Sequence, residues 1–204
     1  MIRPRLLLCC ALLPLSGCLS SVLPKSESRA VYAMDEVPAA TPCGGASHLG
    51  GLLVEAPRAL PPLDGVDLIF RRPDGELQIL PGARWAAPAP ALLQDLLAQT
   101  LDNACLAQTV SQSSAAHALP LRLSSELRAM SIQRDSDLTI ARLTVSLRLS
   151  CVRSAEVIAS RAFTVDQQAS PAPAAAAAGL RSAARQWALQ VRDWLATLPA
   201  TPCD

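Results

Sequence analysis

Aromatic side chains are scarce: two Phe, one Tyr and three Trp in 204 residues. Any core must therefore be assembled mainly from Leu, Val, Ile and Ala. Lysine is represented by Lys25 alone, and 18 basic residues against 17 acidic ones give a formal charge of +1. Neutralising a phosphate backbone needs a clustered excess of Lys and Arg, and no basic stripe is present, so nucleic acid is excluded as a partner. Catalytic signatures are missing too. There is no GxSxG, no HExxH, and no GK[ST] after Gly44-Gly45 or Gly50-Gly51, so the chain is not itself an ATPase. The two histidines, His48 and His117, sit in loop-like stretches beside small residues and read as surface side chains. Asp135 and Asp137 fall in QRDSD, which reads as a solvated hairpin turn rather than a metal site. The expectation is a non-enzymatic protein with no catalytic residue, no cofactor and no metal.

The N-terminus carries the strongest signal. Arg3 and Arg5 form a positive segment, and Leu6 to Leu15 form an apolar run too short to span a bilayer. Leu15-Ser16-Gly17-Cys18 then follows the lipobox pattern of bacterial lipoprotein leaders. Small residues before the cysteine suit a narrow peptidase cleft, and the Cys18 thiol is the attachment point for lipid. The alternative is a plain signal peptide or membrane anchor with an incidental cysteine. Cleavage after residue 17 of 204 leaves 187 residues, enough for one domain with a real core. Arg3 and Arg5 depart with the leader, leaving 16 basic and 17 acidic residues, a charge of −1. Each buried methylene contributes roughly 0.8 kcal/mol, so several acyl chains (palmitate and its like) hold firmly where one does not. Leu19, not Asp, follows the cysteine, which by resemblance to the enterobacterial sorting rule favours the outer membrane, on its periplasmic face.

Of seven cysteines, Cys9 and Cys10 lie in the leader and Cys18 is the lipidation site. Cys43, Cys105, Cys151 and Cys203 remain. An even number in an oxidising compartment invites disulfides, with three possible connectivities that sequence does not choose between. Cys151 falls on the apolar side of a strand and reads equally as a buried thiol. No pair is spaced as CxxC.

The organisation expected is a leader over 1–17, a lipidated N-terminus and flexible tether over 18–30, and a single periplasmic domain over 31–204. Strands are expected at Val31–Met34, Leu52–Ala56, Val66–Phe70 and Glu76–Leu80, the last two joined by the turn Arg72-Pro73-Asp74-Gly75. Leu93, Leu96, Leu97, Leu101 and Ala104 recur at helical spacing after RWAAPAP, where proline suits a helix start. The period then becomes two. Leu106 to Val110 is a short strand. Leu121, Leu123 and Leu127 alternate with Arg122, Ser124, Glu126 and Arg128. Leu143, Val145, Leu147, Leu149 and Cys151 alternate with Arg142, Thr144, Ser146, Arg148 and Ser150. Leu138 and Ile140 are out of phase, which predicts a bulge near Ala141. Val157 to Val165 continues the pattern. Residues 169–178 read as a linker or as the opening of a last helix, in which Leu180, Ala184, Trp187, Val191, Trp194, Leu195 and Leu198 form a stripe. The stripe suits packing on the chain's own sheet, or docking on a membrane or partner helix. The fold class is α/β of the α+β type: a mostly antiparallel sheet, polar on one side, with two amphipathic helices on one face.

A lipobox, a tether, the Val31–Met34 strand, Leu68-Ile69-Phe70-Arg71-Arg72, a turn, Leu77 to Leu80, and Ala83-Arg84-Trp85-Ala86-Ala87-Pro88 running into the Leu92–Leu101 helix occur in order. Strands around Leu121–Arg128, Leu143–Leu149 and Val157–Phe163 follow. Over roughly residues 30–198 this resembles the ABC-type transport auxiliary lipoprotein family, the PqiC-like proteins, with the Arg-Trp-then-helix segment the most telling part. The sequence departs from that pattern at Ile79-Leu80-Pro81-Gly82, which replaces aromatics, and in its four mature cysteines. The resemblance implies an outer-membrane docking subunit of a lipid (phospholipid) transport system whose partners are a permease, an ATPase and an MCE-domain protein, with a homo-oligomer left open. Arg84 and Trp85 are the candidate partner surface, together with the polar sheet face. An outer-membrane assembly lipoprotein for lipopolysaccharide or barrel proteins is the alternative.

Overall fold

The structure, a computed structural model, describes residues 28–40, 47, 49–113, 119–135, 138–199 and 203. Its described residues form β1 (Ala30–Tyr32), β2 (Leu49–Val54), β3 (Asp67–Arg71), β4 (Leu77–Trp85), α1 (Ala89–Asn103), β5 (Ala107–Ser111), β6 (Leu121–Asp135), β7 (Leu138–Cys151), β8 (Val157–Gln168) and α2 (Pro173–Ala196). All eight strands belong to one sheet.

The α+β class stands, but the sheet is mixed rather than mostly antiparallel. β3–β4, β6–β7 and β7–β8 are antiparallel, whereas β1–β4, β2–β5, β2–β6 and β3–β6 are parallel. Period-two alternation reports which side of a strand is buried and is silent on strand direction. Only neighbours joined by tight turns must be antiparallel; strands joined by long connections, such as β2 and β5 with α1 between them, are free to run the same way.

β6 organises the sheet. One side pairs with β7 along its whole length. The other side is shared: Leu121 to Leu123 lie beside β2, and Ile132 and Gln133 beside β3. The register between β6 and β7 slips once, between Leu127 and Ala129, so that the extra residue Arg128 forms a bulge. Beyond it Met130 and Ile132 return to the buried side. The bulge expected near Ala141 is not there. β7 pairs without interruption from Leu138 to Thr144, and Ile140 sits on the opposite face from Ala141 and Leu143, across from Gln133 and Gln168.

Both helices cover one face. Proline opens each of them, Pro90 in α1 and Pro173 in α2, where first-turn amides have no intrahelical partner. The alanine run therefore belongs to α2, as the stronger helix former it is. α1 buries Leu93, Leu96, Leu97 and Leu101; α2 buries Leu180, Ala184, Trp187, Val191, Trp194 and Leu195. The Trp stripe packs inward: Trp194 meets Phe163 of β8 edge-on, with ring centroids 5.8 Å apart. At about 1.5–3 kcal/mol for each large aliphatic side chain removed from water, this one-sided core is the main stabilising term. α2 also comes very close to the sheet at Gly179, where a Cβ would lie 2.9 Å from that of Ala169 and 3.1 Å from that of Ala141.

Candidate functional site

With the helices on one face, the other face of β6, β7 and β8 is left open among the described residues. Its side chains follow from the alternation: Arg122, Ser124, Glu126 and Arg128 on β6; Arg142, Thr144, Ser146, Arg148 and Ser150 on β7; Ser160, Ala162, Thr164 and Asp166 on β8. Toward the β6 C-terminus this face is neutralised. Arg142 bonds both carboxylate oxygens of Asp166 at 2.7 Å and reaches Asp135 at 3.2 Å. The hydrogen bond to Asp166 raises the Arg142 pKa most, against a smaller lowering by burial, and Asp135 adds to the rise. Thr144 and Thr164 meet at 3.2 Å.

Nearer the middle of β6 the face sinks into a groove of about 930 Å³. A strap formed by residues 57–63 makes one wall. Its backbone is tied to β6: the Arg58 amide donates to the Ser125 carbonyl at 2.9 Å, and the Leu127 amide donates to the Arg58 carbonyl at 2.8 Å. The pairing sets Arg58 beside Glu126. Across the floor, Ser124, Arg148 and Ser160 stand in one cross-strand row, and Glu126, Ser146 and Ala162 in the next. Three arginines of this face (Arg58, Arg128 and Arg148) line the groove against one carboxylate, Glu126; Arg161, at its edge, is registered with Leu147 of the helix-covered face. Arg128 is paired with Glu126 at 3.3 Å, and Arg161 stacks on the Phe163 ring at 5.1 Å. Arg58 and Arg148 make no ion pair among the described residues. The Ser146 hydroxyl is buried and has no hydrogen-bond partner among them. The rim is apolar: Leu60 is 79% exposed and Leu77 41%.

The residues singled out from sequence fall elsewhere. Arg84 is exposed, registered with Val31 on β1 and Asp67 on β3. Trp85 is 2% exposed and belongs to the core, so its place in a partner surface is withdrawn: strand alternation turns it inward, beneath the helices. Cys151 and Cys203 are joined by a disulfide, and Cys105 is also disulfide-bonded. Leu15, Ser16, Gly17, Cys18, Cys43, His48, His117 and Asp137 lie outside the described residues. Asp135 is engaged by Arg142. Alternation already placed Ser124, Arg128, Ser146 and Arg148 on a polar face. Arg58 and Leu60 were missed, because only the tertiary path of the strap brings them alongside β6.

An α+β fold with one sheet face open is the class seen among the described residues. The model of the ABC-type transport auxiliary lipoprotein component matches residues 32–192, and the chain belongs to that family. Protein XCC0632 from Xanthomonas campestris, a DUF330 protein, is similar at 26% identity and a TM-score of 0.71, over 81% of this chain and 94% of that one. A second crystal structure, of an uncharacterized protein, shares the fold at 15% identity and a TM-score of 0.64, over 83% of this chain and 99% of that one. No curated protein matches the chain. The family is an auxiliary component of ABC-type transport, and its members are lipoproteins.

Proposed function

We propose that the protein is a non-enzymatic subunit of an MCE-type lipid transport system, anchored by lipid on Cys18 to the periplasmic face of the outer membrane and docking the MCE-domain partner there. In this reading residues 1–17 are the leader, 18–30 the tether and 31–204 the working domain. The observation that carries it is the one-sided packing. Both helices are spent on one face of the sheet, and the other face remains open. Near the point where the tether enters β1, that open face presents Arg84 and Val31, the latter 53% exposed. A charged side chain beside an apolar one on a rigid strand pair is the composition of a small docking surface.

The test is capture of an MCE-domain protein, whose gene this reading expects beside this one. Arg84→Glu is expected to lower capture at least tenfold with an unchanged melting temperature. Undiminished capture by that variant removes this surface from the proposal, and no capture by the unmodified protein removes the docking role.

A further inference from the structure

The groove on the open face has a chemistry of its own. Among the described residues its cations without a carboxylate partner on this face are Arg58, at the strap end of the Glu126–Ser146 row, and Arg148, in the adjacent row between Ser124 and Ser160. Around them the floor carries small hydroxyl side chains, Ser124, Ser146 and Ser160, and one carboxylate, Glu126, which lies beside Arg58 and is engaged by Arg128. The Ser124 hydroxyl already donates to the Arg148 carbonyl at 3.4 Å, a long contact, while that of Ser146 is buried without a partner among the described residues. A buried hydroxyl left unbonded costs free energy unless something meets it. Two guanidinium groups and a free hydroxyl around a shallow floor match a tetrahedral oxyanion, since guanidinium forks pair with phosphate through parallel N–H donors.

The rim adds a second requirement. Leu60 and Leu77 stand exposed at the mouth, beside Pro61 and Pro62. A free inorganic ion gains nothing from them, whereas an amphiphile places its charge on the floor and its first methylenes against the rim. Geometry also puts lipid within reach. The twelve residues from Cys18 to Ala30 extend to about 40 Å at most, and β4, which pairs with β1 at Ala83–Trp85, runs back to Leu77 at the groove.

We infer that this groove binds the phosphate-bearing headgroup of an anionic phospholipid, with Arg58 and Arg148 holding the phosphate, Ser146 hydrogen-bonding it, and Leu60 and Leu77 taking the start of the acyl region. The inference deepens the lipid-transport reading, by giving this subunit a lipid site of its own, and rests on it for the source of the lipid.

The experiment uses the full-length protein in dodecyl maltoside micelles, with empty micelles as the blank. Radiolabelled dihexanoyl-phosphatidylglycerol is measured by equilibrium dialysis. Saturable binding near one lipid per chain is expected. R58Q/R148Q should weaken it at least tenfold and Ser146→Ala about threefold, with thermal midpoints unchanged. Unlabelled dihexanoyl-phosphatidylcholine and inorganic phosphate should displace the label only at tenfold or greater excess. Binding no greater than that of empty micelles, or unaltered by R58Q/R148Q, overturns the proposal. Displacement by inorganic phosphate at equal concentration overturns it in favour of a phosphate site, and stronger displacement by a glutamate-rich decapeptide in favour of an acidic protein segment. Capture of the MCE-domain protein is followed on the same variant. Lipid binding lost with capture intact supports the groove alone, while capture absent from the unmodified protein with lipid binding present sinks only the docking role.

Discussion

Replacing Trp85 with alanine should cost the domain about 3–5 kcal/mol of stability. Trp85 is 2% exposed and is among the largest fully buried side chains; it closes the end of β4 beneath the helices, beside β1. An indole buries roughly 150–250 Å², which at about 25 cal/mol per Å² gives roughly 4–6 kcal/mol of transfer free energy. Truncation to Cβ removes most of that area and leaves a cavity which strand-fixed neighbours fill only in part. A domain of this size is stable by about 5–15 kcal/mol, so the loss takes a large share. The measurement is urea unfolding of the full-length protein in detergent, followed by far-UV circular dichroism, for Trp85→Ala, Trp85→Phe and the neighbouring Arg84→Ala. The phenylalanine variant should lose less than the alanine variant, and Arg84→Ala, at an exposed position, should stay within about 0.5 kcal/mol. A cost below about 1 kcal/mol for Trp85→Ala would falsify the inward assignment and return the indole to the surface. The result also decides how binding data are read: reduced partner capture by Trp85→Ala reports unfolding, whereas reduced capture by Arg84→Glu reports the surface.

Gly179→Ala should destabilise by about 1 kcal/mol. The helix gains about 1 kcal/mol in propensity, but a Cβ placed 2.9 Å from that of Ala169 forces a shift that costs about 1–3 kcal/mol; adding Ala169→Gly should recover part of it, and a stabilised single variant would refute the close approach. Cys203→Ser opens a loop of 52 residues, worth about 4 kcal/mol in the chain-entropy account, which denaturant midpoints would show as a loss shared by Cys151→Ser; equal stability of the variants and the parent contradicts the bridge. Arg142→Gln should cost less than about 1 kcal/mol, since its partners are solvent-facing. Because the folded-state pKa of Arg142 is raised, its contribution is complete below its unfolded value and fades only as pH rises through the folded one, so a stability change traceable to Arg142 between pH 5 and 9 would contradict the assignment. Cys18→Ser should abolish acylation and release from the leader; unchanged processing and membrane fractionation would remove the anchor.

Much of the fold can be read from spacing. The leucines of α1 and the Trp stripe of α2 recur at helical intervals, and β6 to β8 alternate over most of their length, broken at the Arg128 bulge and at Arg161, because one buried face leaves a period in the sequence. The strand over Glu76–Leu80 was expected to end at Leu80. Instead Gly82 takes φ 79°, the chain passes through an irregularity where the β3 pairing shifts, and the strand resumes to Trp85. Pairing direction, the disulfide partners and the strap left no comparable trace, since each depends on which distant segments meet. The open face was legible as a polar face. That Arg58 completes a groove on it was not, because nothing local in PRALPPL points at β6.

The groove itself follows from a mismatch of lengths. β6, at fifteen residues, extends about 50 Å, while β2 and β3 on its far side are six and five residues long. Neither can cover it alone, and they flank it at its two ends. The backbone groups left between them need partners, and Arg58 supplies them in passing, fastened to Ser125 and Leu127. The strap alternates along its length: Ala59 and Leu63 pack against the core, whereas Arg58 and Leu60 project at the groove. Net charge is blind to such a site. A chain close to neutrality repels the idea of a polyanion wrapped along a basic stripe, but a single phosphate needs only two or three guanidinium groups in one place, and strand register puts Arg148 between Ser124 and Ser160 whatever the total charge.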